Sequence, residues 1–325
     1  MPIKLSELKW YGSATMPDDD TVLNIGGAIA TSKKVMFTDV NGGVQILSSS
    51  AGDTTQTVQL FYRDAGGSLL NETKTLSGTT PVVYTATPER LLKAIKSATT
   101  AGDVVLEATT VERTGTAQAG AADTITLDAG ASAVDNFYNG MIVRLTGGTG
   151  SGQIREIVGY VGATKVATVS RPWGTNPDAT SVFRVVKGIY FDLSPAEILE
   201  VRRPWYNAAA NAPGGGAVDY YEKLFAKNTH GTLTLTSAKV IESADPTAKV
   251  TFGLAATVND TGGNGGGNNR KVAPAGVTFA STDANVPTGQ LTATQAIGTW
   301  IKLSLLDGDV AIKSTYTPIL QGNTT

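Results

Sequence analysis

Along most of the chain, apolar and polar residues alternate in short runs, and glycine, asparagine and aspartate punctuate them. Residues 57–63 (TVQLFYR) alternate with period two, and Asp64-Ala65-Gly66-Gly67 and then residues 68–76 follow. The glycines supply the positive φ that a tight reversal needs, so the pair predicts a β-hairpin. Residues 34–38 and 44–47 flank Asn41-Gly42-Gly43, which predicts another. One helix is expected near residues 87–95. Thr87 can cap it, Pro88 suits its first position, and Leu91, Leu92 and Ile95 share a face. Residues 104–108 (VVLEA) return to strand.

Residues 113–122 are small and polar and read as a linker. Five short apolar runs follow, at residues 125–127, 141–145, 153–158, 165–169 and 181–185. Near-regular spacing of this kind predicts a small antiparallel barrel or sandwich. Ser194-Pro195-Ala196-Glu197 is a capping box with proline at its first helical position, so a second helix is expected to run to about Arg202, before Pro204. Strands are expected at residues 220–226, 231–241 and 249–258. A final hairpin is expected to join residues 301–306 and 310–314 across Asp307-Gly308. Residues 261–269 (TGGNGGGNN) read as an exposed loop, too polar and glycine-rich to pack. The expected fold is therefore mainly β: two to three sandwich- or barrel-like domains with two short helices. Its domains are residues 1–112, residues 113–187 and residues 188–325.

Composition narrows the chemistry. The chain has 325 residues with no cysteine, one histidine, 37 glycines and a net charge of −2. Without cysteine there is no disulfide framework, thiolate nucleophile or thiolate-ligated metal. One histidine leaves a single candidate for an imidazole relay. The charge balance lacks the basic excess of a nucleic-acid binder. No apolar run approaches the ~20 residues of a membrane helix. The first residues, MPIKLSELK, lack the apolar stretch of a secretory signal, so synthesis in a reducing cytoplasm is expected.

The motifs that invite chemistry each have a plainer reading. Gly147-Gly148-Thr149-Gly150-Ser151-Gly152 resembles a phosphate loop in composition, but Gln153-Ile154-Arg155 follows where a P-loop has Lys-Ser/Thr entering a helix, so a hairpin tip is expected. Asp18-Asp19-Asp20 offers oxygen ligands for a hard cation, yet no EF-hand spacing accompanies it and a solvated acidic turn is the simpler reading. His230 precedes a strand with no G-x-S-x-G elbow anywhere, which favours a turn role. Glu197 and Glu200 lie three apart, beside Arg202 and Arg203, as in helix-end electrostatics, not as in a glycosidase pair. Asn71-Glu72-Thr73 and Asn259-Asp260-Thr261 match glycosylation sequons, with no secretion signal to make them relevant. Arg202-Arg203-Pro204-Trp205-Tyr206 and Arg171-Pro172-Trp173 mix guanidinium and aromatic groups, the residues enriched at interface hot spots. The expected partner contacts are Trp205, Tyr206, Arg202, Arg203, Trp173 and Trp10. No catalytic residue, cofactor or metal is expected.

The stretch NFYNGMIVRLTGGTGSGQIREI, from Asn136 to Ile157, together with Trp173 and Pro177-Asp178-Ala179-Thr180-Ser181, resembles a module of virion structural proteins of tailed bacteriophages. Tyr221-Glu222-Lys223-Leu224-Phe225-Ala226-Lys227-Asn228, followed by Leu233-Thr234-Leu235, is similar to phage particle proteins as well. The resemblance implies a non-enzymatic virion component, assembled in the host bacterial cytoplasm. It implies contacts with the major capsid protein or other virion subunits, homo-oligomerisation, and no nucleic-acid or membrane partner. A capsid decoration or cement protein is the leading expectation. A tail or neck component is the alternative, and a carbohydrate-binding receptor protein a second one.

Overall fold

The computed structural model describes residues 2–18, 24–193, 197–204, 216–244, 248–265, 269–307, 309 and 316–324. It is nearly all β, in large multi-stranded sheets. The chain divides into two compact units, one formed by Thr38–Val201 and the other by Met1–Phe37 with Arg202–Thr325. In sequence, the first unit is an insertion within the second.

The chain opens with a 3-10 turn, Leu5–Glu7, followed by β1 (Leu8–Thr15) and β2 (Gly26–Val35). These two pair antiparallel, with Ser13 opposite Ile29. The insertion then begins with β3 (Val44–Ser48), β4 (Thr57–Arg63), β5 (Leu69–Thr75), β6 (Val82–Val83) and β7 (Arg90–Lys96). The long β8 (Val104–Thr116) follows, then β9 (Ala119–Ala121) and β10 (Thr124–Thr126). Next come β11 (Ile142–Gly147), β12 (Ile154–Val161), β13 (Val166–Val169) and β14 (Val182–Phe191). Within this unit β7, β4 and β5 are successive neighbours, and a second series runs β6-β3-β8-β14-β11-β12-β13-β10-β9.

That second series is apolar on both faces. Val143 and Leu145 lie opposite Val185 and Phe183 across the β11–β14 ladder, and all four enter a core with Ile125, Ile157, Tyr160 and Trp173. The preceding Ile142 lies opposite Val186, and these two face the other way, with Leu47, Val105, Ile154 and Tyr190. Each such side chain contributes about 1.5–3 kcal/mol when fully buried. The alternation along each strand therefore sorts residues between two cores and not between core and water.

After the short β15 (Glu200–Arg202), the remaining strands are β16 (Val218–Asn228), β17 (Leu235–Ala244), β18 (Val250–Val258), β19 (Asp283–Asn285), β20 (Gln290–Leu291), β21 (Ala296–Leu305) and β22 (Thr317–Thr324). In this unit the order β18-β21-β16-β1-β2 forms one sheet face, and β17 pairs with β19, β20 and β22. Leu224, Phe252, Ile297 and Ile301 from the first set pack with Leu235, Val240 and Leu320 from the second, giving a sandwich-like core.

Several expectations are overturned. The helix expected at residues 87–95 is the strand β7, paired with β4 through Leu60–Ala94 and Val58–Lys96. Leu91, Leu92, Lys93 and Ala94 are all buried, so both faces are covered and the run of leucines reflects a central strand. The second helix is absent among the described residues. Ser194, Pro195 and Ala196 lie outside them, Glu200 belongs to β15, and the Glu197 carboxylate accepts from Thr100 N at 2.8 Å and pairs with Lys96. The expected linker is instead the end of β8 and all of β9, because its small residues suit closely spaced strands. No hairpin forms across Asn41-Gly42-Gly43, since β3 pairs with β6 and β8. The glycine-rich loop does pack in part. Asn264 is buried, accepting from Ile25 N at 3.2 Å and donating to Asn269 O at 2.9 Å. The far side of the expected terminal hairpin, with Gly308 and residues 310–314, lies outside the described residues.

The tip between β11 and β12 is a glycine hairpin, as its composition suggests. Gly148 has φ +70, and a Cβ there would overlap the Thr180 carbonyl oxygen. Gly152 has φ +92 with open space around it. Left-handed backbone costs a non-glycine residue roughly 1–2 kcal/mol. Gly148→Ala is expected to lower the thermal midpoint well beyond Gly152→Ala, because it adds a backbone clash to the same conformational cost. Equal shifts in a thermal melt would contradict that account.

Candidate functional site

Of the six residues expected to meet partners, Trp173 is 5% exposed and sits in the core of the insertion. Its indole N–H donates to Thr124 O at 3.2 Å, and the Arg155 guanidinium stands 5.3 Å from the ring centroid. Arg202 is buried and donates to Met16 O at 2.7 Å, Pro17 O at 3.0 Å and Asp18 Oδ1 at 3.2 Å. Arg203 is also buried. Trp10 is half-buried, edge-to-face with Phe37 at 5.9 Å. Trp205 and Tyr206 lie outside the described residues, as do Asp19 and Asp20. The structure thus uses Trp173 and Arg202 internally, as a core filler and a clamp on the segment after β1.

His230 serves its own turn: its Nδ1 accepts from Thr232 N at 3.0 Å and Leu233 N at 2.9 Å. Among the described residues no group of three or more His, Asp or Glu side chains is placed to hold a metal ion.

Two buried ionic clusters lie in the insertion, and neither was anticipated. In the first, Asp103, just before β8, pairs with Arg171 and with Arg155, the latter at 3.3 Å. Arg155 also donates to Pro172 O at 2.8 Å and Ile154 O at 2.7 Å. Arg171 reaches Asp192 at 3.4 Å and Tyr190 Oη at 3.3 Å. Burial opposes the Arg171 charge, but Tyr190 and Asp103 outweigh it and hold the guanidinium's pKa above the usual value. Burial chiefly, with Asp103 and Asp192 beside it, pushes the Tyr190 phenol well up. Its hydroxyl stays protonated and donates to Ile154 O at 3.1 Å.

The second cluster centres on Glu107 of β8, which has no exposed surface. Its Oε1 accepts from Gln45 Nε2 at 2.6 Å, and Arg144 and Arg184 approach at 3.3 and 3.7 Å. These arginines stand directly opposite each other on β11 and β14. Their repulsion is balanced by one carboxylate. Burial lowers the Arg144 pKa, with Glu107 opposing and Arg184 reinforcing that shift. Chemically, both clusters are ties: they join β8 to β11, β12, β14 and the segment before Trp173, although Asp103 Oδ1, Glu107 Oε2 and the Nε atoms of Arg144 and Arg184 are buried without a hydrogen-bond partner. The available sequence signal was a charge inside an apolar run, Glu107 in VVLEA and Arg144 in MIVRL.

Two sets of exposed apolar side chains lie elsewhere in the same unit. Leu69 and Leu70 on β5 are 45% and 40% exposed. Val134, Phe137 and Val161 form a second apolar set. The loop carrying the first two lies along β12, with Asn136 N donating to Tyr160 O and Gly162 N to Asp135 Oδ1, both at 2.8 Å.

On β5, Glu72 clasps the chain that returns past it, accepting from Ala86 N at 2.8 Å and from Thr85 N and Oγ1 at 3.1 and 3.0 Å, with Lys74 at 2.9 Å. Burial would raise its pKa, but the bonds from Lys74, Thr85 and Ala86 prevail and hold it at about 2, against 4.5 ordinarily. A carboxylate depressed in the folded state contributes stability that is fully present above its unfolded value and is lost as pH falls toward the folded one. Wild-type protein is therefore expected to lose thermal stability more steeply between pH 4.5 and about 2 than Glu72→Gln, which starts lower and lacks this titration. Parallel melting-temperature profiles for the two proteins across that window would refute the assignment.

No family model, curated protein or solved structure matches the chain.

Proposed function

We propose that this chain is a non-enzymatic structural component of a tailed-bacteriophage virion. In this reading it is a decoration or cement protein that binds the major capsid lattice and is assembled in the bacterial cytoplasm. The observation that carries it is the module built on residues 136–157, the stretch that resembles phage particle proteins. Its core is closed by Trp173, Tyr138 and Tyr160, while Val134, Phe137 and Val161 stand 64%, 43% and 48% exposed beside it. A rigid module that offers apolar side chains on loop and strand suits docking onto a repeated protein surface. Such a protein stabilises a shell by mass action, because it binds the assembled lattice and not the free subunit.

Quantitative mass spectrometry of purified particles tests the reading. Copy number in proportion to the major capsid protein is the expected result. A handful of copies per particle would reject decoration in favour of the neck or tail, and absence from the particle would reject the virion assignment.

A further inference from the structure

We propose that β5 is a docking edge for β5 of a second copy of this chain, antiparallel, with the twofold axis at Thr73. Within its sheet β5 is the terminal strand, bonded on one side to β4. The donation from Leu76 N to Gln56 O at 2.9 Å sets the alternation of that ladder. Residues 70, 72 and 74 turn their backbone groups toward β4, so the N–H and C=O groups of Leu69, Asn71, Thr73 and Thr75 face outward.

An open edge is ordinarily blunted by proline, a bulge or an unpaired lysine. β5 has neither proline nor glycine, and it pairs with β4 without a register shift over all seven residues. Its lysine, Lys74, is neutralised by Glu72 at 2.9 Å. The strand is anchored at its start by the Asp64–Ser68 turn, where Ser68 N donates to Asp64 Oδ1 at 2.8 Å.

The charges select the occupant. Two outward-facing edges must pair odd-numbered residues with odd-numbered ones, so an identical strand has few registers open to it. An axis at residue 72 sets Glu72 against itself, and one at residue 74 sets Lys74 against itself. An axis at Asn71 sets Glu72 against Leu70. An axis at Thr73 places Glu72 opposite Lys74 twice, giving four alternating charges on one face, and brings Leu70 toward Leu76 of the second copy. Opposite charges in facing positions of a ladder are favourable and like charges are not.

The chain has no cysteine, so introduced thiols report the register without interference. In the proposed pairing the two Thr73 Cα atoms lie about 5.5 Å apart, within disulfide reach. The two Asn71 Cα atoms lie four residues out of step, about 14 Å apart. Under mild oxidation Thr73→Cys is expected to form a covalent dimer and Asn71→Cys, on the same exposed face, to remain monomeric. Light scattering on the wild type should show a dimer that grows with concentration, and Thr73→Pro, which removes only an outward N–H, should abolish it. A wild type that is monomeric at every concentration, or equal cross-linking of the two cysteine variants, would overturn the proposal. Because isolated protein is used throughout, the result is independent of the virion reading.

Discussion

Trp173→Ala is expected to remove about 3–5 kcal/mol of unfolding free energy, the range for a buried tryptophan truncated to alanine. The site has little freedom to collapse around the loss. The backbone bond from Trp173 N to Ala122 O at 2.6 Å persists in the alanine variant and holds the segment in place, while the ring N–H bond to Thr124 O is lost with the indole. The guanidinium of Arg155 also rests against the ring and would face a void. Denaturant unfolding followed by near-ultraviolet circular dichroism should show the loss. A change below about 1 kcal/mol would mean that this core repacks without its largest member.

Glu107→Ala should be of similar size, about 3–5 kcal/mol, for a different reason. The mutation leaves Arg144 and Arg184 facing each other with no counter-charge between them. Most of that cost is the penalty of stranded charge, not the worth of the ion pairs. A triple variant with methionine at 107, 144 and 184 is therefore expected to recover much of the stability, since well-packed apolar replacement of a buried ionic group is often neutral or favourable. If denaturant midpoints show the triple variant no better than Glu107→Ala, the cluster contributes through specific hydrogen bonds and this electrostatic account fails.

The elements that depend on neighbouring sequence were legible. The five runs between residues 125 and 185 appear as β10 to β14, and the Thr57–Arg63 hairpin and the glycine tip stand where local pattern and turn chemistry placed them. The failures come from partners distant in sequence. In β7 the spacing of Leu91, Leu92 and Ile95 fits a helical face as well as a strand covered on both sides, and periodicity cannot separate the two. Strand β1 lies between β2 and β16, and nothing within residues 8–15 announces a neighbour at residue 218 or beyond. Trp173, Arg202 and Arg203 are buried for a related reason. Arg-Pro-Trp is apt for an interface hot spot and equally apt for a clamp whose arginine and indole are turned inward. The buried Asp103 and Glu107 clusters were missed because their cations come from strands β11, β12 and β14 and the segment before Trp173, which only the tertiary structure assembles.

The insertion of Thr38–Val201 between two halves of one unit has a consequence for biosynthesis. As the chain leaves the ribosome, β1 and β2 emerge before the insertion, yet β1 bonds along Leu8–Gly12 to residues 224–228. The inserted unit, which ends at Val201, is complete in the nascent chain before that partner exists. Its strands can pair while β1 still waits for β16. Contacts this distant in sequence make for slow closure and a long interval of exposed strand edge. β1 and β2 are thus made before the inserted unit, yet the ladder on the outer edge of β1 can be completed only after it.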